Sequence, residues 1–179
     1  MANPIMQSIS ALKTADINFL ALDFDLTIVD IHTGGTWPGT IEELATHVRD
    51  IFKQLIFAAH EAGIQMAICT FSPQVAVIRE VLALTFPNFG EDIPIRGADR
   101  SWTYEGEGSQ KGKQSHIASA VEEICDRDAS IIITKDSTVL IDDDANNIKI
   151  ALGEGVRAIW LNPKNSSQLI PDILNLIGG

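Results

Sequence analysis

Short apolar runs alternate along this chain with longer segments of helical period, and that alternation constrains the fold more than any other feature. The apolar runs stand at Ile17–Leu22, Ile64–Cys69, Ile93–Ile95, Val139–Ile141 and Val156–Leu161. Each is short, and three are rich in Ile and Val with few polar breaks, the pattern of strands buried on both faces of a parallel sheet. Between them, Ile41–Ala62 sets Leu44, Val48, Ile51, Leu55 and Ala58 on one stripe and ends at Gly63. Pro73–Leu84 groups Val75, Ile78, Val81 and Leu82, with Ser72 as N-cap and Pro73 at the first helical position. Further helices are predicted at Gln114–Cys125, Ala145–Leu152 and Ser166–Leu176, while Ile131–Ile133 fits either an extra strand or a helix end. The alternation predicts an α/β fold, a three-layer α/β/α sandwich with a mostly parallel central sheet and helices on both faces. At 179 residues the expectation is one domain, 1–179. Two segments exceed a minimal βαβ unit: a turn-rich flap at Val29–Gly39 and a long loop, Gly97–Gly112, carrying Trp102 and Tyr104.

Charge and cysteine usage narrow the function classes. Thirteen Lys and Arg against twenty-four Asp and Glu leave a net charge of −11, and the bases do not cluster, which disfavours a nucleic-acid partner. Cys69 and Cys125 are far apart and lack CxxC spacing, so neither a disulfide framework nor a thiolate zinc site is expected, and a reducing compartment fits. Met1–Leu20 has no basic stretch ahead of an apolar run, and no run of 18 apolar residues occurs. A cytoplasmic protein without a membrane partner is the expectation.

Two acidic clusters end apolar strands. Leu20-Ala21-Leu22 runs into Asp23 and Asp25, spaced i, i+2, with Thr27 close behind. In open α/β sheets ligands bind beyond the carboxyl ends of the strands, although an aspartate there often only caps a turn. Leu140-Ile141 runs into Asp142, Asp143 and Asp144 ahead of a predicted helix. Capping explains one of those aspartates; three, facing Asp23 and Asp25, repel strongly at low dielectric. A divalent cation resolves that conflict, and an all-carboxylate set without His or Cys suits Mg²⁺. Thr70 ends the second predicted strand just before a helix start, an arrangement that binds anions. Lys111 and Lys113 lie in a glycine-rich stretch ahead of another helix.

Taken together, these four elements in this order resemble the haloacid dehalogenase-like (HAD) phosphohydrolases. Asp23, Asp25 and Thr27 match the DxDxT motif, Thr70 the strand-end hydroxyl, a Lys the third motif, and Asp142, Asp143 and Asn147 the acidic DDxxxN motif. The resemblance spans about Phe19 to Asn162. The patterns Lys113-x-x-His116 and Asp142-Asp143-x-x-x-Asn147 look most like the small magnesium-dependent phosphatases without a cap domain, which favours Lys113 over Lys111.

The resemblance implies a Mg²⁺-dependent phosphatase that hydrolyses a phosphomonoester through an aspartyl-phosphate. Asp23 would be the nucleophile and Asp25 the acid and then base. Asp23, the Asp25 carbonyl and Asp143 would hold Mg²⁺, with Thr27, Asp142 and Asn147 supporting them. Thr70, Lys113 and the N–H groups of Phe24, Asp25 and Phe71 would bind the phosphoryl oxygens. The dehalogenase branch lacks the second aspartate, so Asp25 favours phosphoester hydrolysis. No insertion is long enough for a cap, which suits a bulky substrate or closure by a neighbouring subunit of a homo-oligomer. Phosphorylated small molecules and phosphoproteins are both candidate substrates; a non-catalytic binding module on the same scaffold is the other class of answer. His32 and Trp37 are candidate substrate contacts, His116 a support for Lys113, His47 and His60 solvent-facing positions on the long helix, and Cys69 a buried inert thiol.

Overall fold

The computed structural model describes residues 3–178. Five parallel strands form its sheet: β1 (Phe19–Leu22), β2 (Gln65–Cys69), β3 (Ile95–Arg96), β4 (Thr138–Asp142) and β5 (Arg157–Trp160), in the order β3-β2-β1-β4-β5. β1 is central, with Leu22 paired to Ile68 on one side and Ile141 on the other. All four of its residues are fully buried, which is why the run has no polar break.

Period-two alternation divides the strands between two cores. Leu20, Leu22, Met66, Ile68, Val139 and Ile141 face one layer of helices, together with Phe52, Leu55, Ile78 and Leu82. Phe19, Ala21, Ala67, Cys69 and Leu140 face the other, against Ile117, Ala120, Ile124, Ile148 and Ala151. The helices are α1 (Pro4–Thr14), α2 (Ile41–Ala45), α3 (Asp50–Glu61), α4 (Val75–Thr85), α5 (Gln114–Arg127), α6 (Ala145–Gly153) and α7 (Leu169–Leu174). The expected α/β/α sandwich is therefore present, and its central sheet is wholly parallel. Among the described residues no helix is long and apolar enough to cross a membrane.

Several boundaries differ from the sequence expectation. α1 is an addition: Asn3 accepts a hydrogen bond from the Ile5 N–H (2.9 Å), Pro4 opens the helix, and Ile5, Ile9 and Leu12 are buried. The expected helix at 41–62 is broken at residues 46–49. There Val48 forms an antiparallel bridge with Val29, and the Arg49 N–H donates to the Ile28 carbonyl (2.8 Å). His47 thus lies in the break rather than on a helix, and its Nδ1 is 2.8 Å from Asp30 Oδ1. Ser72 and Pro73 do not open α4, which begins at Val75; the Ser72 hydroxyl instead accepts from the Gln74 N–H (3.4 Å) within a turn. Residues 166–176 form a 3₁₀ turn, α7 and a second 3₁₀ turn rather than one helix, and Ile131–Ile133 is irregular.

Candidate active site

β1 runs straight into Asp23, whose N–H donates to the Ile141 carbonyl of β4 (3.0 Å). The chain then turns tightly through Phe24–Ile28, closed by the Val29 N–H donating to the Phe24 carbonyl (3.1 Å), with Leu26 at φ +58°. That left-handed conformation costs a non-glycine residue roughly 1–2 kcal/mol. Arg49 holds the turn by donating from Nε to the Thr27 carbonyl (2.8 Å) and from a guanidinium N–H to the Leu26 carbonyl (3.2 Å). The turn brings the Thr27 hydroxyl back to Asp23 Oδ2 (3.0 Å) and beside Asp143 Oδ1 (3.3 Å), while the hydroxyl oxygen accepts from the Asp143 N–H (3.1 Å). Its single proton serves one carboxylate at a time.

β4 ends in Asp142, its carboxylate fully occupied. Oδ1 accepts from the Asp144 N–H (3.0 Å), and Oδ2 accepts from Asn147 Nδ2 (3.1 Å) and lies 2.6 Å from Lys113 Nζ. Asp144 caps α6 through the N–H groups of Asn146 (2.8 Å) and Asn147 (3.3 Å). Trp160 on β5 donates from Nε1 to the Asp143 carbonyl (2.7 Å) and fixes that residue from the side.

Lys113 enters from the start of α5, after Gly112 at φ +55°, a conformation that favours glycine. Its ammonium, 2% exposed, lies 2.7 Å from Asp23 Oδ1 and bridges the ends of β1 and β4. Lys111, two residues earlier, is exposed. Thr70 ends β2, buried, its hydroxyl oxygen accepting from the Ser72 N–H (3.1 Å). Phe71 follows it at the mouth of an open cavity of about 380 Å³, lined by Asp23, Asp25, Thr70, Lys113, Asp143 and flap residues including His32. Trp37 does not line that cavity; its Nε1 donates to the Thr40 carbonyl (2.8 Å). Tyr104 lies apart too, donating to the Glu107 carbonyl (2.8 Å).

Asp25 sits on the flap side. The Thr33 hydroxyl is 2.8 and 3.1 Å from its two oxygens, Gln74 Nε2 donates to Thr33 Oγ1, and the Trp37 N–H donates to Gln74 Oε1 (2.8 Å). The flap is therefore tied through Thr33 and Trp37 to Gln74, the residue ahead of α4, and Thr33 passes that link on to Asp25. Thr33, Gln74, Arg49 and Trp160 were not among the sequence candidates. A threonine in a glycine-rich turn has no periodicity to mark it, and its partner Gln74 lies 41 residues away.

Electrostatics follow from the burial. Asp23 is pushed up to about 6 because burial penalises its charge, an effect the Lys113 ammonium opposes and the Asp143 carboxylate adds to. Asp142 is also raised, by burial and then by Asp23, against the pull of Lys113. Burial works against the Lys113 charge, but Asp23 and Asp142 outweigh it and raise the ammonium above its ordinary value. Burial pushes the Cys69 thiol up to about 12, so it is inert. His116 is pushed down to about 4 by burial and by Lys113. His60, by contrast, is exposed and stacks on Phe89 with ring centroids 3.8 Å apart.

Oxygen atoms of Asp23, Asp142 and Asp143 lie within 4.8 Å of one another. A hard divalent ion fits this donor set: it is all oxygen, and one ammonium cannot neutralise three adjacent carboxylates. Asp142 has its lone pairs committed to Lys113, Asn147 and a backbone N–H, which leaves Asp23 and Asp143 as the freer ligands.

No protein-family model matches the chain, and no curated protein matches it. Solved structures do. The N-terminal part of a Bacteroides fragilis protein containing a phosphatase domain, complexed with Mg, matches 96% of this chain at 18% identity and a TM-score of 0.55. This chain spans 43% of that structure. An uncharacterized protein from Corynebacterium glutamicum matches 90% of this chain and 96% of its own, at 18% identity and a TM-score of 0.51. At such identities the likeness is one of fold.

Proposed function

We propose that this protein is a Mg²⁺-dependent phosphatase of the HAD type, hydrolysing a phosphomonoester through an aspartyl-phosphate. One observation carries the reading above the others: a buried lysine bridges Asp23 and Asp142 at the carboxyl ends of adjacent central strands, with Asp143 in the same cluster. The Mg-bound phosphatase-domain structure of similar fold supports it.

In this reading each residue has its own role. The Asp23 carboxylate attacks phosphorus, oriented by the Thr27 hydroxyl and Lys113. Lys113, the Thr70 hydroxyl and the N–H groups of Phe24, Asp25 and Phe71 receive the phosphoryl oxygens. Asp25, steered by Thr33, gives its proton to the leaving oxygen as the P–O bond breaks. It then takes a proton from the water that attacks the aspartyl-phosphate, releasing phosphate and restoring Asp23. Asp23, Asp143 and the Asp25 carbonyl would hold Mg²⁺, with Asp142 and Asn147 setting its surroundings. When bound, the ion supplies charge neutralisation for the phosphoryl group and the carboxylates around it.

Hydrolysis of p-nitrophenyl phosphate, with and without Mg²⁺, tests this for wild type and Asp23→Asn side by side. Release that requires the metal and is lost in the variant, whose fold by circular dichroism is unchanged, is the expected result. Equal release from both proteins overturns the nucleophile assignment. The non-catalytic alternative predicts instead that the wild type binds a phosphate mimic and never turns over.

A further inference from the structure

Phe71 is 52% exposed, yet the groups around it are not: Thr70 is 2%, Ser72 8% and Lys113 2% exposed. A single exposed phenylalanine is ordinary on a protein surface. This one differs in lining a cavity whose other side chains, Pro73 apart, are polar or charged, and in being braced from behind. Lys113 Nζ stands 5.3 Å from its ring centroid. The His116 ring meets it edge-on, at 5.3 Å and 75°, and Trp102 meets His116 the same way, at 4.7 Å and 64°. Trp102 is fixed in turn by donating from Nε1 to the Gly97 carbonyl (2.8 Å). At Gly97 a Cβ would stand 2.6 Å from the Ser72 carbonyl oxygen, so this anchor is seated tightly on the turn that presents Phe71. Two rings, His116 of α5 and Trp102 of the 97–112 loop, thus stand in line behind one aromatic whose remaining surface is open to solvent.

The rest of the cavity wall leaves room for a flat group. The flap contributes Gly34 and Gly35, and a Cβ built on Gly34 would meet nothing within 4 Å. The lining also holds the carboxylates of Asp25 and Asp144 beside the flap's His32, and the chain carries a net charge of −11. A leaving group bearing its own carboxylate or further phosphates is disfavoured there, and a polyol would leave the ring wet.

We propose that Phe71 is a stacking platform for the leaving group, so that the site selects phosphomonoesters whose leaving group is an uncharged planar aromatic ring. The inference rests on the phosphatase reading, because it assumes that the phosphoryl group sits between Asp23 and Lys113. Offset or edge-on aromatic pairs change an equilibrium constant by up to about tenfold, and that is the selectivity to be expected.

Binding, rather than turnover, tests it. Phenylphosphonate and cyclohexylphosphonate are non-hydrolysable, share the same anionic head and differ in planarity. Their dissociation constants are measured by calorimetry with Mg²⁺ present, for wild type, Phe71→Leu and Phe71→Tyr. Wild type is expected to bind phenylphosphonate about tenfold more tightly. Phe71→Leu should lose that preference while still binding both, and Phe71→Tyr should keep it. Equal affinities in the wild type, or equal weakening of both ligands in Phe71→Leu, overturn the platform and leave the phosphatase reading standing. Failure of the wild type to bind either phosphonate overturns the phosphatase reading, and this inference with it.

Discussion

At Lys113 an ammonium sits 2.7 Å from one buried carboxylate and 2.6 Å from another. Replacing it with methionine leaves Asp23 and Asp142 facing each other without a counter-charge, and breaking a buried pair in this way costs about 3–5 kcal/mol. Urea unfolding of Lys113→Met should show a loss of that order, and adding Asp142→Asn should return part of it. A double variant no more stable than the single one would mean that the two carboxylates are not held together by the lysine. Thr33 makes a quieter contribution. Thr33→Val removes the donor on Asp25 without creating a large cavity, so kcat is expected to fall at least about tenfold with KM little changed, while Thr33→Ser retains activity. Steady-state kinetics of the three proteins decide it, and a change confined to KM would argue that the flap only shapes the entrance.

Among the elements, α5 has Lys113 at its start and His116 in its first turn. His116 is pushed from 6.5 down to about 4, by burial, by Lys113 and to a smaller extent by Arg96. The unfolded chain therefore takes up a proton on this residue below about pH 6.5 and the folded one only near 4. Stability is unaffected above that window, is lost progressively as pH falls through it, and loses no more from this group below it. Thermal unfolding across pH 4–7 should show His116→Gln with a shallower acid limb than wild type; parallel limbs would refute it. Elements were also where the sequence was least legible. The heptad-like stripe through Leu44, Val48 and Ile51 continues across residues 46–49, and nothing local reveals that Val48 pairs with Val29 while Arg49 reaches the Thr27 carbonyl. Distant partners broke the helix. The strands were legible because full burial on both faces removes polar residues from them. The carboxylates were legible because their apolar strands end abruptly in charge. Thr33 and Gln74 act through one side-chain contact each way and leave no such pattern.

For the whole molecule, an ion bound at the acidic cluster would couple metal binding to folding. An ion held by the native state and not by the unfolded chain stabilises it by about 2.7 kcal/mol at a hundred times its dissociation constant. Added Mg²⁺ should raise the melting temperature of wild type, and Asp143→Asn should respond much less; an identical rise in both would remove Asp143 from the ligands. The same cluster is drawn from points far apart in the chain. Thr27 and Asp143, whose contact closes it, are 116 residues apart, and β1 and β4, which they follow, pair in parallel although β2 and β3 come between them along the chain. Such pairing has a high contact order and forms slowly. In a refolding chain the helices can recover their signal well before β4 settles beside β1, and a chain still emerging from the ribosome has no site at all until its last third has been made. Assembly of the acidic cluster is thus a late event in the life of each molecule, and a partly folded copy does not yet gather its carboxylates around Lys113.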